Sequence, residues 1–281
     1  MKILIGTISL SSLGGTETWT KTVYDELSKH HDVSVYSPKG YKAFPELKIA
    51  NKNDVYDVAF INHNTTFRKL RNYKINKRIV VIHGVIPKEE KPAKGADKYF
   101  AVSEEIAEKY KELNPVIVRN PIDLNFYKST IAPNKVIKKV LFASNYKGTA
   151  FKIVVNAFKG MDVDIRRVGG RGNQTFLMKA AYNWADLVIG LGRTAYEAMA
   201  CERNVIIFDY KGGDGFATPE NLLEFRKNNC SGRREKIFYS PMGLLYEAKR
   251  YNSSRGRILR DFIKTHNSSS LIAKQLLEYA K

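Results

Sequence analysis

Residues 187–210 read LVIGLGRTAYEAMACERNVIIFDY. An apolar run is followed by two glycines around a leucine, an arginine, an alanine-rich helical pattern and a second apolar run. That is the strand–glycine–helix–strand order of a parallel βαβ unit. The helix carries one acid, Glu197, on a surface that otherwise reads as packing.

The same alternation runs through the whole chain. KILIGT precedes the helical GTETWTKTVYDELSKH, and DVSVYS, YDVAFIN, RIVVIHG, KYFAVS with EEIAEKYKEL, and PVIVRN follow. After residue 130 it resumes with KKVLFAS, TAFKIVVNAF, VDIRRVGG, QTFLMKAAYNW, ADLVIGL, TAYEAMAC and NVIIFDY. Two such series predict an α/β protein of two Rossmann-like lobes, each a doubly wound parallel sheet. RNPIDLNFYKSTIAPNKVIKK breaks the periodicity with prolines and polar residues, so the boundary is expected near residue 126, giving lobes of 1–126 and 127–281. The tail reads as two helices around an Asn-Ser turn, the last able to pack on its own lobe or cross back to the first.

The 281 residues include 47 Lys and Arg against 28 Asp and Glu, a net charge of +19. Such a balance favours an anionic partner: nucleic acid, a phospholipid surface or a phosphorylated substrate. Cys201 and Cys230 form no metal-ligand or disulfide spacing, which fits a reducing cytoplasm. MKILIGTISL reads as a first strand, and no apolar run is long enough to span a bilayer.

Helix N-termini at the carboxyl ends of parallel strands offer unpaired N–H groups to phosphate. Three places have the required form. Gly14 and Gly15 precede the first helix, with Thr16 as a candidate cap. Gly169, Gly170, Arg171 and Gly172 follow a strand. In the opening stretch Gly190 and Gly192 loosen the backbone before Arg193 and Thr194, and an arginine there can meet a diphosphate through two parallel bonds. Glu197, one turn on, is placed to accept from the vicinal hydroxyls of a ribose; the competing reading is an Arg193–Glu197 ion pair.

GLGRTAYEAMACERNVI resembles the C-terminal motif of the retaining, family 4 type of GT-B glycosyltransferase. LGGTET resembles that family's Gly-Gly loop, RIVVIHG its strand ending in His, ADKYFAVSEEIAEKY its AVS strand and helix, and VIVRNPIDLNFY its interdomain turn. The resemblance covers most of residues 1–210 in order. It implies two lobes facing a cleft, with a nucleotide-sugar donor, UDP- or GDP-linked, held mainly by the C-terminal lobe. By position, Glu197 matches the ribose glutamate, Lys147 the lysine that neutralises the diphosphate, Gly15 the nearby loop glycine and His83 the histidine facing the sugar. Two departures stand out. Ile189 occupies the position of the family's first glutamate, and the arginine usual before the lysine is absent, where LFASNYKG offers Ser144 and Asn145. Arg193 or Arg171 is left to supply the second positive charge.

The chemistry implied is departure of a nucleoside diphosphate from the anomeric carbon, catalysed by position and electrostatics. The only Asp-x-Asp, residues 162–164, reads as strand, so no metal cofactor is expected. The basic stretch FRKLRNYKINKR, residues 67–78, concentrates Arg68, Lys69, Arg71, Lys74, Lys77 and Arg78 without an acid, as an acceptor or polyanion surface. A second basic region runs from Arg226 to Lys264. By analogy with the commoner use of the family, the acceptor is expected to be a lipid or cell-envelope glycan, which would put the protein at the inner face of the membrane. A modified base of DNA or RNA is the alternative acceptor, and a non-catalytic nucleotide-sugar or nucleic-acid binding protein the alternative of another class.

Overall fold

The computed structural model describes residues 1–86, 88–146, 148–170 and 177–280. Their elements run β1 (Lys2–Gly6), α1 (Gly15–Leu27), β2 (Asp32–Tyr36), β3 (Val55–Asn62), α2 (Asn64–Lys69), β4 (Lys74–Ile82), β5 (Lys98–Ala101), α3 (Glu104–Lys109) and β6 (Val116–Ile117). Then follow β7 (Lys139–Ala143), α4 (Thr149–Ala157), β8 (Asp164–Val168), α5 (Met178–Trp184), β9 (Leu187–Gly190), α6 (Arg193–Ala200), β10 (Asn204–Asp209) and β11 (Gly212–Phe216). Four helices close the chain: α7 (Pro219–Phe225), α8 (Pro241–Ala248), α9 (Arg255–Asn267) and α10 (Ser269–Ala280). The chain divides into two compact units, Met1–Pro121 with Ser269–Lys281, and Ile122–Ser268.

The first unit is a six-stranded sheet in the order β2-β1-β3-β4-β5-β6, with every pair parallel. Its central strands are apolar at consecutive positions because both faces are covered. Ile3, Ile5, Val58 and Phe60 pack with Trp19, Val23 and Leu27 of α1 and with Ile272 and Leu276 of α10. Leu4, Ala59 and Ile61, which point the other way along the same strands, pack with Tyr56 and Leu70. α10 therefore belongs to the core of this unit, and Ser269 fastens its start by donating to Glu26 at 2.7 Å.

The second unit has the order β11-β10-β9-β7-β8, parallel except for β11, which runs antiparallel to β10. Leu141, Val188, Val205 and Ile207 face α5, α6 and α9, whereas Val140, Phe142, Ile189 and Ile206 face α4 and α8. Ile189 is fully buried in that second layer. The position where the resembled family carries an acid thus serves packing here. In each sheet the winding reverses once: between β1 and β3 in the first unit, and between β7 and β9 in the second. Ligands of doubly wound sheets bind at the carboxyl ends beside such reversals.

Candidate functional site

In the second unit the reversal is bounded by tightly fitted backbone. Gly169 and Gly170, past the end of β8, have φ of +100° and +79°. A Cβ on Gly169 would lie 2.5 Å from the Ser144 carbonyl oxygen, so only glycine fits against the end of β7. The Gly170 N–H donates to Asn145 Oδ1 at 3.1 Å. Ser144 Oγ donates to Asp209 Oδ2 at 2.6 Å and accepts the Tyr146 N–H at 3.0 Å. Asp209 is buried and its other oxygen accepts the Tyr210 N–H at 2.7 Å. Burial pushes its carboxyl above the usual range, and the Ser144 bond opposes that shift. Ser144, Asn145, Gly169, Gly170 and Asp209 thus bind the ends of β7, β8 and β10 into one rim. Asp209 was missed at the sequence level because an acid ending an apolar strand reads as an ordinary turn residue.

α6 starts from the same rim. Its N-cap is Gly192, at φ +56°, whose N–H donates to the Cys230 carbonyl at 2.7 Å. Gly190 is required because a Cβ there would meet the Thr194 methyl at 2.8 Å and the Ala143 carbonyl at 3.0 Å. Arg193 and Glu197 form a buried ion pair, Nε to Oε1 at 2.7 Å, with side chains only 9% and 7% exposed. The Tyr182 hydroxyl donates to Glu197 Oε2 at 3.0 Å. The Tyr127 and Tyr182 hydroxyls are pushed up, first by burial and next by the charge of Glu197. The ion-pair reading of Glu197 is therefore realised, and protein donors take both carboxylate oxygens. A ribose would have to use the second lone pair of an oxygen already bonded.

Lys147, Arg171 and Gly172 lie outside the described residues. Ser144, Asn145, Gly169, Gly170, Gly190, Gly192, Arg193, Thr194 and Glu197 are gathered at the carboxyl end of one sheet. Gly14, Gly15 and His83 belong to the first unit.

There the first helix is occupied from within. α1 begins at Gly15 with Gly14 as N-cap, so Thr16 is inside the helix rather than its cap. Glu17 folds back over the N-terminus, and a Cβ on Gly14 would lie 2.4 Å from its Oε2. Burial raises the Glu17 carboxyl and a bond from its own N–H opposes the rise. Next to it is a polar network at the ends of β3 and β4. Asn62 Nδ2 donates to Thr20 Oγ1 at 3.1 Å, so Asn62 Oδ1 is left as an acceptor for His83 Nε2 at 2.8 Å. Glu90 bridges two histidines: Oε2 accepts the His83 backbone N–H at 2.9 Å, and Oε1 lies 3.5 Å from His63 Nε2. Asn62, His63 and Glu90 carried no sequence signal, since single polar residues at strand ends are common.

The basic stretch 67–78 is not one surface. It starts at the carboxyl end of β3 in α2 and returns to the amino end of β4, so Lys74 and Lys77 lie at the edge of the sheet opposite the carboxyl ends of the strands. Arg78 is structural: its guanidinium donates to the Leu70 carbonyl at 3.1 Å and the Tyr73 carbonyl at 2.9 Å. Arg68, Lys69, Arg71 and Lys74 are exposed. In the second basic region Arg260 is likewise drawn inward, donating to the carbonyls of Leu124, Tyr127 and Ala200. Among the described residues no group of three His, Cys, Asp or Glu side chains is placed to hold a metal, and no helix is long and apolar enough to cross a membrane.

No protein-family model matches the chain, and no curated protein matches it in sequence. Solved structures do match. An α-glucosyltransferase in complex with UDP and a 13-mer DNA containing a HMU base aligns with a TM-score of 0.67 at 10% identity, covering 100% of this chain and 99% of that one. AviGT4, a glycosyltransferase involved in avilamycin A biosynthesis, aligns at 0.61 and 14% identity over 99% and 96% of the two chains. A putative UDP-N-acetylglucosamine 2-epimerase from Listeria monocytogenes aligns at 0.56 and 11% identity over 98% and 94%. The fold is that of the GT-B glycosyltransferases, with two Rossmann-like lobes of parallel sheet.

Proposed function

We propose that the protein is a retaining, family 4-like glycosyltransferase that moves a hexose from a UDP-sugar to a hydroxyl-bearing base of DNA. One observation carries the donor half. At the reversal of the second sheet, glycines and a helix N-terminus converge beside a buried arginine, an arrangement suited to a diphosphate. Gly169, Gly170, Gly190, Gly192, Ser144, Asn145 and Thr194 let the phosphates approach the backbone. Lys147 and Arg193 offset their charge, with Arg171 as a further cation. In this reading Glu197 holds Arg193 in place and offers its remaining lone pairs to the ribose.

The bond between the anomeric carbon and the diphosphate oxygen breaks, leaving positive charge on the sugar and negative charge on UDP. The acceptor hydroxyl adds to the same face, and its proton passes to the leaving phosphate oxygen. No protein nucleophile enters. Preorganised cations and N–H groups supply the stabilisation, worth about 2.7–4 kcal/mol for each well-placed donor. His83, whose ring bonds Asn62, is the residue that the family resemblance assigns to the sugar. Turnover is expected without added metal.

DNA is favoured over lipid as the acceptor by the +19 charge together with the DNA-bound neighbours of this fold. The test is calorimetric binding of UDP- and GDP-sugars in metal-free buffer. Assays of transfer to hydroxymethylated DNA and to lipid acceptors follow. UDP-selective binding, weakened tenfold or more by Lys147→Ala, with transfer to DNA is expected. Binding of no nucleotide sugar would end the enzyme reading, and transfer to lipid alone would end the acceptor reading.

A further inference from the structure

We propose that the rim joining Tyr146, the β10–β11 turn and the 231–238 loop is a nucleic-acid-binding surface that stacks unpaired bases on exposed rings between lysines. The inference rests on the nucleic-acid reading of the acceptor and names the surface that would carry it.

All three rings are exposed. Tyr146, after β7, and Tyr210, after β10, lie with ring centroids 3.9 Å apart, yet they remain 54% and 43% exposed. Phe238 is 69% exposed. Cations alternate with them: Lys211 Nζ sits 5.4 Å from the Tyr210 ring centroid, and Lys236 is exposed two residues before Phe238. Arg233 acts electrostatically on the Tyr210 hydroxyl. Glu235 is the only acid in residues 231–238, and nearby Asp209 and Asp214 are buried and bonded.

The loop is built to hold this display. Asp214, 3% exposed, accepts the N–H groups of Gly232 at 3.0 Å, Arg234 at 2.8 Å and Glu235 at 3.0 Å. Gly213 and Ile237 exchange both backbone hydrogen bonds at 2.8 Å. Gly232 lies so close to Gly212 that a Cβ on it would fall 2.4 Å from the Gly212 oxygen. Fixing a large exposed ring on such a scaffold gains no burial within the chain. Stacking on a base would bury it, at a cost in chain entropy already met by the loop.

The surface also lies at the right edge. β10 ends and β11 begins at the carboxyl edge of the sheet, where Tyr146 adjoins Lys147 in sequence. A strand delivering a base to the diphosphate site would pass along it. The rings come from three separate segments rather than one face of a helix, which suits alternating bases and phosphates better than insertion into a bilayer.

The test is fluorescence polarisation with a labelled single-stranded oligonucleotide and its duplex, alongside sedimentation with anionic vesicles. The proteins are wild type, Tyr210→Ala, Phe238→Ala and the double variant Lys211→Glu with Lys236→Glu, each checked by thermal melting. Loss of either ring should weaken single-strand binding by about five- to a hundredfold. The lysine pair should lower the slope of log affinity against log salt by roughly 1.4. Wild-type affinity retained in all variants, or no oligonucleotide binding by wild type, would overturn the proposal. Binding to vesicles alone would assign the rim to a membrane instead. Calorimetry with UDP separates the two readings: UDP bound with oligonucleotide affinity unmoved defeats the rim alone, whereas ring-dependent oligonucleotide binding without UDP defeats the enzyme reading alone.

Discussion

The two units share a winding and differ in what they place where it reverses. In the second, α6 opens from Gly192 into a buried arginine, and the glycines beyond β8 lie against the end of β7. In the first, α1 opens under its own carboxylate, Glu17, and the neighbouring strand ends are filled by Asn62, His83 and Glu90. A helix N-terminus attracts negative charge in either case. The first start has an internal anion, and the second has an arginine matched by Glu197 one turn on. The two starts thus differ by the side chains of their own first turns, with no change in sheet order.

The contrast is tested most severely at the ion pair. Both Arg193 and Glu197 are nearly fully buried, so removing either strands a charge whose desolvation is no longer compensated. Glu197→Ala and Arg193→Ala should each lower unfolding stability by about 3–5 kcal/mol in urea titrations. The double variant should lose less than the sum, the signature of direct coupling. Additive losses would mean that the two residues act separately, and α6 would then hold no preset cation. Next in size is the backbone of the rim. Gly169→Ala forces a side chain onto φ +100° and against the Ser144 carbonyl, and should cost about 1–3 kcal/mol in the same titration. A neutral result would mean that the ends of β7 and β8 are not interlocked.

Much of the winding was legible in the sequence because strands buried on both faces leave continuous apolar runs, as KILIG and NVIIF do. β11 was not legible: GGDGF has the composition of a turn, and it becomes a strand because Asp214 and the two preceding glycines lock onto the 232–237 loop. The candidate site was legible where spacing carried it. Arg193 and Glu197 are one helical turn apart, and they do meet. It was illegible where three-dimensional closure carried it, as in Ser144 with Asp209, 65 residues away, or Glu90 between two histidines. The basic stretch 67–78 shows what charge density leaves out. Charge density alone does not reveal that the chain crosses from one edge of the sheet to the other, or that Arg78 serves two carbonyls.

Asp209 gives a finer probe of the rim. Burial holds its carboxyl above the ordinary aspartate value of 3.8. Between that value and the raised one the folded state binds more protons than the unfolded state. Stability therefore falls as pH rises through the interval and stays lower above it. Asp209→Asn cannot ionise, so its stability curve should lack that fall when thermal melting is followed from acid pH upward. An unchanged curve would place the carboxylate in a more hydrated setting than a closed rim allows.

The smallest expected effect is at α1, and it bears on the comparison directly. Glu17 lies in the first turn, where its charge is favourable to the helix by only about 0.3–1 kcal/mol. Glu17→Gln should therefore shift thermal stability slightly and leave UDP affinity within about twofold, because the proposed diphosphate site lies in the second unit. Removing the internal anion does free that N-terminus for an external one. A large gain in UDP affinity in Glu17→Gln would mean that the freed α1 N-terminus binds phosphate by itself, and that Glu17 is what closes it to external anions.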